Sequence, residues 1–201
     1  MSHHNRIYVQ PETHNYLVTI YQEVFHLKSL YIAMHLWWRE EGWIPHNGPW
    51  EEKTNDEYEE TLLYDNHSPG NKKLWVWWRL QKPTGSSYYR YFMNVNFMML
   101  GTRDVEVMHE GEKYKAQWGE LTVSIKPWIE YDYQDKWAKH PILKHFNTFF
   151  QKRIFKEDML KREELLLQDA YRLQGVIKNF LERKKFIPES ELLWEPHRKF
   201  G

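Results

Sequence analysis

Apolar and polar positions alternate with a period of two through much of this chain and switch to a helical period in its N-terminal and C-terminal parts, so each change of period marks a change of element. Residues 16–25 are rich in β-branched and aromatic side chains and predict a first strand. From Leu27 the repeat becomes helical, with Leu27, Leu30, Tyr31, Met34 and Trp38 on one stripe and Gly42 placed to cap the C-terminus. Two prolines and a glycine in 44–50 predict a loop. The acidic stretch 51–65 ends in apolar residues and reads as an edge strand, protected from foreign pairing by its charge.

Residues 74–80 form a stronger strand. Leu74, Val76, Trp78 and Leu80 make one face and Trp75 and Trp77 add to the other, so both faces are expected to be covered. In 88–100 the face Tyr89, Tyr91, Met93, Val95, Phe97, Met99 opposes Arg90, Asn94 and Asn96. A hairpin is expected from 105–109 and 113–117 around Glu110-Gly111, with Trp118-Gly119 as a further turn. In 121–133 Leu121, Val123, Ile125, Ile129, Tyr131 and Tyr133 face one way, while Thr122, Ser124, Lys126, Glu130 and Asp132 face the other. Pro127 interrupts that strand and predicts an edge or a bulge, because proline has no N–H for a ladder.

After Asp135 the helical period returns. One helix is expected over 139–156, with Pro141 in its first turn and the stripe Ile142, Leu143, Phe146, Phe149, Phe150, Ile154. A longer one follows over 157–184. This order predicts an α+β fold, an antiparallel meander sheet with one N-terminal helix and two C-terminal helices packed on it, helix-grip-like in arrangement. Residues 1–186 are expected to form a single α+β domain, and 187–201 an extended C-terminal tail.

Composition adds further facts. The 201 residues include 11 Trp, 13 Tyr and 10 Phe, more large aromatic side chains than a core of this size calls for, which points to interfaces as well. Basic and acidic residues balance at 28 each, so no global field draws in nucleic acid, which is an unexpected partner on this ground. The balance is uneven along the chain, with 4 basic and 11 acidic residues in 1–70. With no cysteine, disulfides, thiolate metal sites and thiol nucleophiles are excluded. The N-terminus lacks the apolar core of a signal peptide and no apolar run is long enough to span a bilayer, so a cytoplasmic protein is expected, at most membrane-associated at a surface.

Three segments, 25–43, 103–137 and 140–155, resemble an uncharacterised family of small archaeal proteins of unknown function. The shared features are Asp104 followed by Val105-Glu106-Val107, a Gly-Lys pair, a strand ending in Asp132-Tyr133, and Lys136-Trp137 before a helix. Here Glu112 separates Gly111 from Lys113, a departure from that pattern. The resemblance implies one continuous domain and an archaeal source, and carries no activity.

The motifs for catalysis are sparse. The 11 histidines do not fall at metal-ligand spacing, no glycine-rich phosphate loop occurs, and neither metal nor cofactor is expected. Glu130 and Asp132, on one strand face, are the candidate acid–base pair of a hydrolase, although a solvated polar face accounts for them equally. The pattern points more to binding than to catalysis. Trp75, Trp77 and Trp137 are the candidate interface residues, for self-association into a homo-oligomer or for a protein partner. Lys144, Lys152 and Arg153, on a basic aromatic helix, are candidates for an anionic membrane surface. The alternative is an apolar ligand or lipid carrier of helix-grip type, with Trp75, Trp77, Phe92 and Met98 lining a cavity.

Overall fold

The computed structural model describes residues 6–9, 16–45, 61–68, 71–109, 112–134, 136–144, 153 and 155–183. In chain order the elements are β1 (Arg6–Tyr8), β2 (Tyr16–Phe25), α1 (Leu27–Glu40), β3 (Ile44–Pro45), β4 (Thr61–Ser68), β5 (Asn71–Lys82), β6 (Tyr89–His109), β7 (Glu112–Tyr131), α2 (Lys136–Lys139) and α3 (Lys156–Arg183). The fold is α+β, and among the described residues seven strands make one antiparallel sheet. The centre is β7-β6-β5. Beyond β7 lie β1 and β2 end to end, and beyond β5 lie β3 and β4. Of the expected strand 51–65, residues 51–60 lie outside the described residues; 61–65 belong to β4, which pairs with β5 alone among the described strands. The expected helix 139–156 falls mostly outside them as well; what is described of that stretch is the end of α2, a turn at 140–142, and helical residues at 143–144 and 153.

The turn expected at Trp118-Gly119 proves to be strand. Residues 89–109 are one strand, as are 112–131, because the chain passes Gly101 and Gly119 without turning back. Leu100 pairs with Glu120 and Arg103 with Trp118, so β6 carries one extra residue there, a bulge. Gly101 has φ 62 and Gly119 φ 154, conformations that suit glycine, and the close approach of Thr102 leaves no room for a Cβ at Gly119. Beyond the bulge the two strands continue as a ribbon to His109 and Glu112.

Pro127 is in a central strand, contrary to the expectation of an edge or bulge. It pairs with Met93, and its carbonyl accepts from the Val9 amide at 3.1 Å, so its missing N–H points toward the β1/β2 side. There β2 has ended opposite Ile125 and β1 begins opposite Trp128. The proline occupies the gap between two neighbours, where a donor is least needed.

One face of the sheet is buried under the helices. Val76, Trp78 and Leu80 of β5, Met93, Val95, Phe97 and Met99 of β6, and Leu121, Val123, Ile125 and Ile129 of β7 meet Leu30, Met34 and Trp38 of α1 and Leu166, Ala170, Leu173 and Ile177 of α3. The α1 N-terminus is capped by the His26 ring, which accepts from the Ser29 amide at 3.1 Å, and by Gln117 Oε1, which accepts from the Leu27 amide at 3.1 Å. At its other end Gly42, with φ 75, lets the Trp43 amide reach the Trp38 carbonyl at 2.8 Å and buries Trp43. A cluster of ions ties α1, β5 and α3 together. Lys82 Nζ lies 2.8 Å from buried Asp169, Arg172 pairs with Asp169 and, at 3.0 Å, with Glu41, and Lys82 stands 5.5 Å from the Trp43 ring centre.

Two tyrosine hydroxyls are buried where α3 meets the sheet. Burial, and then the neighbouring Tyr171, push Tyr16 up to about 12; burial, and then the Asp158 carboxylate, push Tyr89 up to about 12. The ordinary value is 10.0, so the fold favours the neutral phenol. The stability this represents is complete below pH 10 and is lost as the pH climbs from 10 toward 12. A titration followed by phenolate absorbance should show two late tyrosines that move to the ordinary range in denaturant, and denaturant midpoints should fall over the same window. Gly119→Ala brings a Cβ within 2.9 Å of the Thr102 Cα. It should cost about 2–3 kcal/mol in urea unfolding, and a cost near zero would refute the bulge geometry.

Candidate functional site

The opposite face of the sheet, the open face, carries no helix among the described residues. Because directly paired residues share a face, the register assembles it from the polar sets seen in single strands. Across the middle run Leu17, Ser124, Asn96 and Trp77; beside them lie Thr19, Thr122, Met98 and Trp75; on the other flank lie Lys126, Asn94 and Arg79. Trp75 and Trp77 are thus half-buried neighbours on the open face, and among the described residues no helix lies over that side of their strand. Arg79 is held in place by donating to Asn96 Oδ1 at 2.9 Å and to the Trp78 carbonyl at 2.9 Å. The Thr19 and Thr122 hydroxyls are 3.3 Å apart.

Toward the β1 end the face rests on a stack. The rings of Phe92 and Trp128 lie parallel at 4.0 Å and are 2% and 6% exposed. Arg6 lies 4.6 Å from the Trp128 ring centre, and Arg90 lies 5.7 Å from that of Phe92 and 4.2 Å from that of Tyr133. Arg90 also forms a two-nitrogen pair with Glu130, at 2.8 and 3.2 Å. At the far end, where the ribbon leaves the sheet, Arg103 lies 4.3 Å from the Trp118 ring centre.

The candidate residues named from the sequence do not form one site. Trp75 and Trp77 come together, and Met98 is paired with Trp75, but Phe92 is committed to its stack. Trp137 is elsewhere. Its ring packs 5.7 Å from Tyr88 and 5.7 Å from Phe155, and its amide donates to Asp132 Oδ1 at 3.1 Å. Lys144 and Arg153 are exposed, and Lys152 lies outside the described residues. In the same region Ile142 is 61% exposed.

The carboxylate pair also separates. Glu130 is engaged by Arg90 on the open face, whereas Asp132 follows the strand with φ 50 and turns its buried carboxylate to the α2 backbone. A strand pattern carried two residues too far had put them on one face. Among the described residues no group of three metal-ligating side chains is assembled, and no helix is long and apolar enough to cross a membrane.

Single-strand patterns missed the convergence of arginines and lysines on the open face. The signal was present in the even positions of 88–100 and 121–130 and the odd positions of 73–81, but it becomes one surface only after pairing. What the fold defines is an α+β protein with an antiparallel sheet covered by helices on one side and, among the described residues, carrying aromatic and hydrogen-bonding side chains on the other. Compared with protein-family models, with curated proteins and with solved structures, the chain finds no match.

The stack and the pair of exposed-side tryptophans have different jobs, which stability separates. Trp128→Ala removes a buried ring and should cost about 3–5 kcal/mol, and Trp77→Ala about half of that or less, both read from chemical denaturation. Equal costs would mean that Trp77 is core.

Proposed function

We propose that this chain is a non-enzymatic binding protein whose working surface is the open face of the sheet, engaged by a macromolecular partner. The observation that carries this reading is the division of the sheet. The helices bury the face built from Val76, Trp78, Met93, Val95, Phe97 and Val123, while Trp75 and Trp77 stand on the other among amides, hydroxyls and cations. Core packing does not call for that chemistry, and recognition does: large rings with few rotatable bonds beside fixed hydrogen-bonding groups. A cytoplasmic location belongs to the same proposal, motivated by the absence of cysteine.

The helix-grip comparison would put an apolar ligand between sheet and helices. Against that reading, Met93, Val95 and Val123 on the sheet and Leu166, Ala170 and Ile177 on α3 are each fully buried there, filling the layer with side chains. The separation of Glu130 from Asp132 removes the main support for a hydrolase. The surface reading is therefore preferred.

Oxidative footprinting of the free protein tests it directly. Trp75 and Trp77 should be modified well before Trp43 and Trp78, and the double variant Trp75→Ser/Trp77→Ser should keep its far-UV circular dichroism and cooperative unfolding. Protection of both rings in the isolated monomer, together with loss of folding in the double variant, would make them core and end the proposal.

A further inference from the structure

Resting on the reading of the open face as the working surface, we propose that its occupant is single-stranded nucleic acid. The 28 to 28 balance of the whole chain conceals how charge is placed. Among the described side chains, strand register puts Arg6, Lys73, Arg79, Arg90, Arg103 and Lys126 on the open face against Glu120 and Glu130. The described part of the face is thus basic although the protein is neutral, and α3 carries as many acidic as basic side chains. A polyanion is drawn to such a local excess even when the global charge is zero.

The basic groups are interleaved with rings. Trp75 and Trp77 are two residues apart on one strand, about 6.8 Å at the usual rise, and half-buried Trp77 is the platform for an unpaired base. Arg6 and Arg103 are held against aromatic rings rather than extended on mobile stems, which orders their guanidinium groups for phosphate. Between the tryptophans and Lys126 lie Asn94, Asn96, Thr122 and Ser124, amides and hydroxyls suited to base edges and sugars. Stacking platforms beside cations that track a backbone are the requirements for single strands, whereas a duplex hides its base faces from a sheet.

The same charge count decides against two rivals. A second copy docked by a two-fold axis would set this basic face against itself, like charge on like. An anionic bilayer would satisfy the cations but leave the amide and hydroxyl rows facing lipid without directed partners.

Fluorescence anisotropy with labelled oligonucleotides of about 12 nucleotides, within the span of one such platform, tests the proposal with the full chain. RNA and DNA single strands are compared with the matching duplex, with heparin as competitor and phosphatidylglycerol vesicles as a separate arm. We expect at least about tenfold tighter binding to single strand than to duplex, with RNA against DNA showing which sugar is preferred. Trp77→Ala should weaken binding about tenfold, and reversal of the two exposed lysines, Lys73→Glu/Lys126→Glu, should weaken it uniformly across sequences and flatten its salt dependence. Those lysines are exposed on the sheet, so their reversal keeps the fold and the test holds even where the tryptophan variant is destabilised. No binding of single strands, equal binding of duplex and heparin that ignores Trp77→Ala, or binding to vesicles alone would overturn the inference. If footprinting finds Trp75 and Trp77 accessible and oligonucleotides still fail to bind, this inference falls and the surface reading stands; if those rings are protected as core, both fall.

Discussion

The pairing of β6 with β7 is the constraint on which the rest of this protein depends. It runs from Tyr89 opposite Tyr131 to His109 opposite Glu112, and both strands continue through residues that would end a shorter hairpin. Side chains alternate strictly along a strand, so a slip of β6 by one position would send Met93, Val95 and Phe97 to water and Arg90 and Asn94 beneath the helices. The cost of such a slip, several buried apolar side chains exchanged for unpaired polar ones, holds the register. Everything laid on the sheet inherits it: the seats of α1 and α3 on one side, and the composition of the open face on the other.

Interruptions in this pairing are placed where they do least harm. Pro127 falls where β2 gives way to β1, and the bulge at Gly101 and Thr102 falls where the sheet gives way to a two-stranded ribbon. The bulge also resets which residues of β6 share a face. Before it the open face takes even positions; after it Arg103, paired with Trp118, joins the same surface from an odd one. An extra residue in one strand therefore extends the basic, aromatic surface beyond the body of the sheet.

The two faces are stabilised differently. On the helix side, apolar burial dominates, and the ions that occur there, Lys82, Asp169, Arg172 and Glu41, form a compensated cluster that pins α3 to the end of α1 and β5. On the open side the buried Phe92 and Trp128 stack, braced by Arg6 and Arg90, supplies rigidity. A rigid surface loses little entropy when a partner arrives, and that makes half-buried Trp75 and Trp77 economical recognition elements.

By itself the sequence determined the elements whose signals are local. The alternation of 121–131 marked a strand, the stripe from Leu27 to Trp38 with Gly42 behind it marked α1, and the apolar repeat through Leu166, Leu173 and Ile177 marked α3, since period and capping need only near neighbours. The tertiary structure alone decided where strands continue past Gly101 and Gly119, why a proline is tolerated mid-sheet, and that Glu130 and Asp132 part company while Arg79, Arg90, Arg103 and Lys126 converge. Those outcomes depend on which strand lies beside which and in what register. Such pairing is fixed by burial summed over residues far apart in the chain, and no single strand carries it.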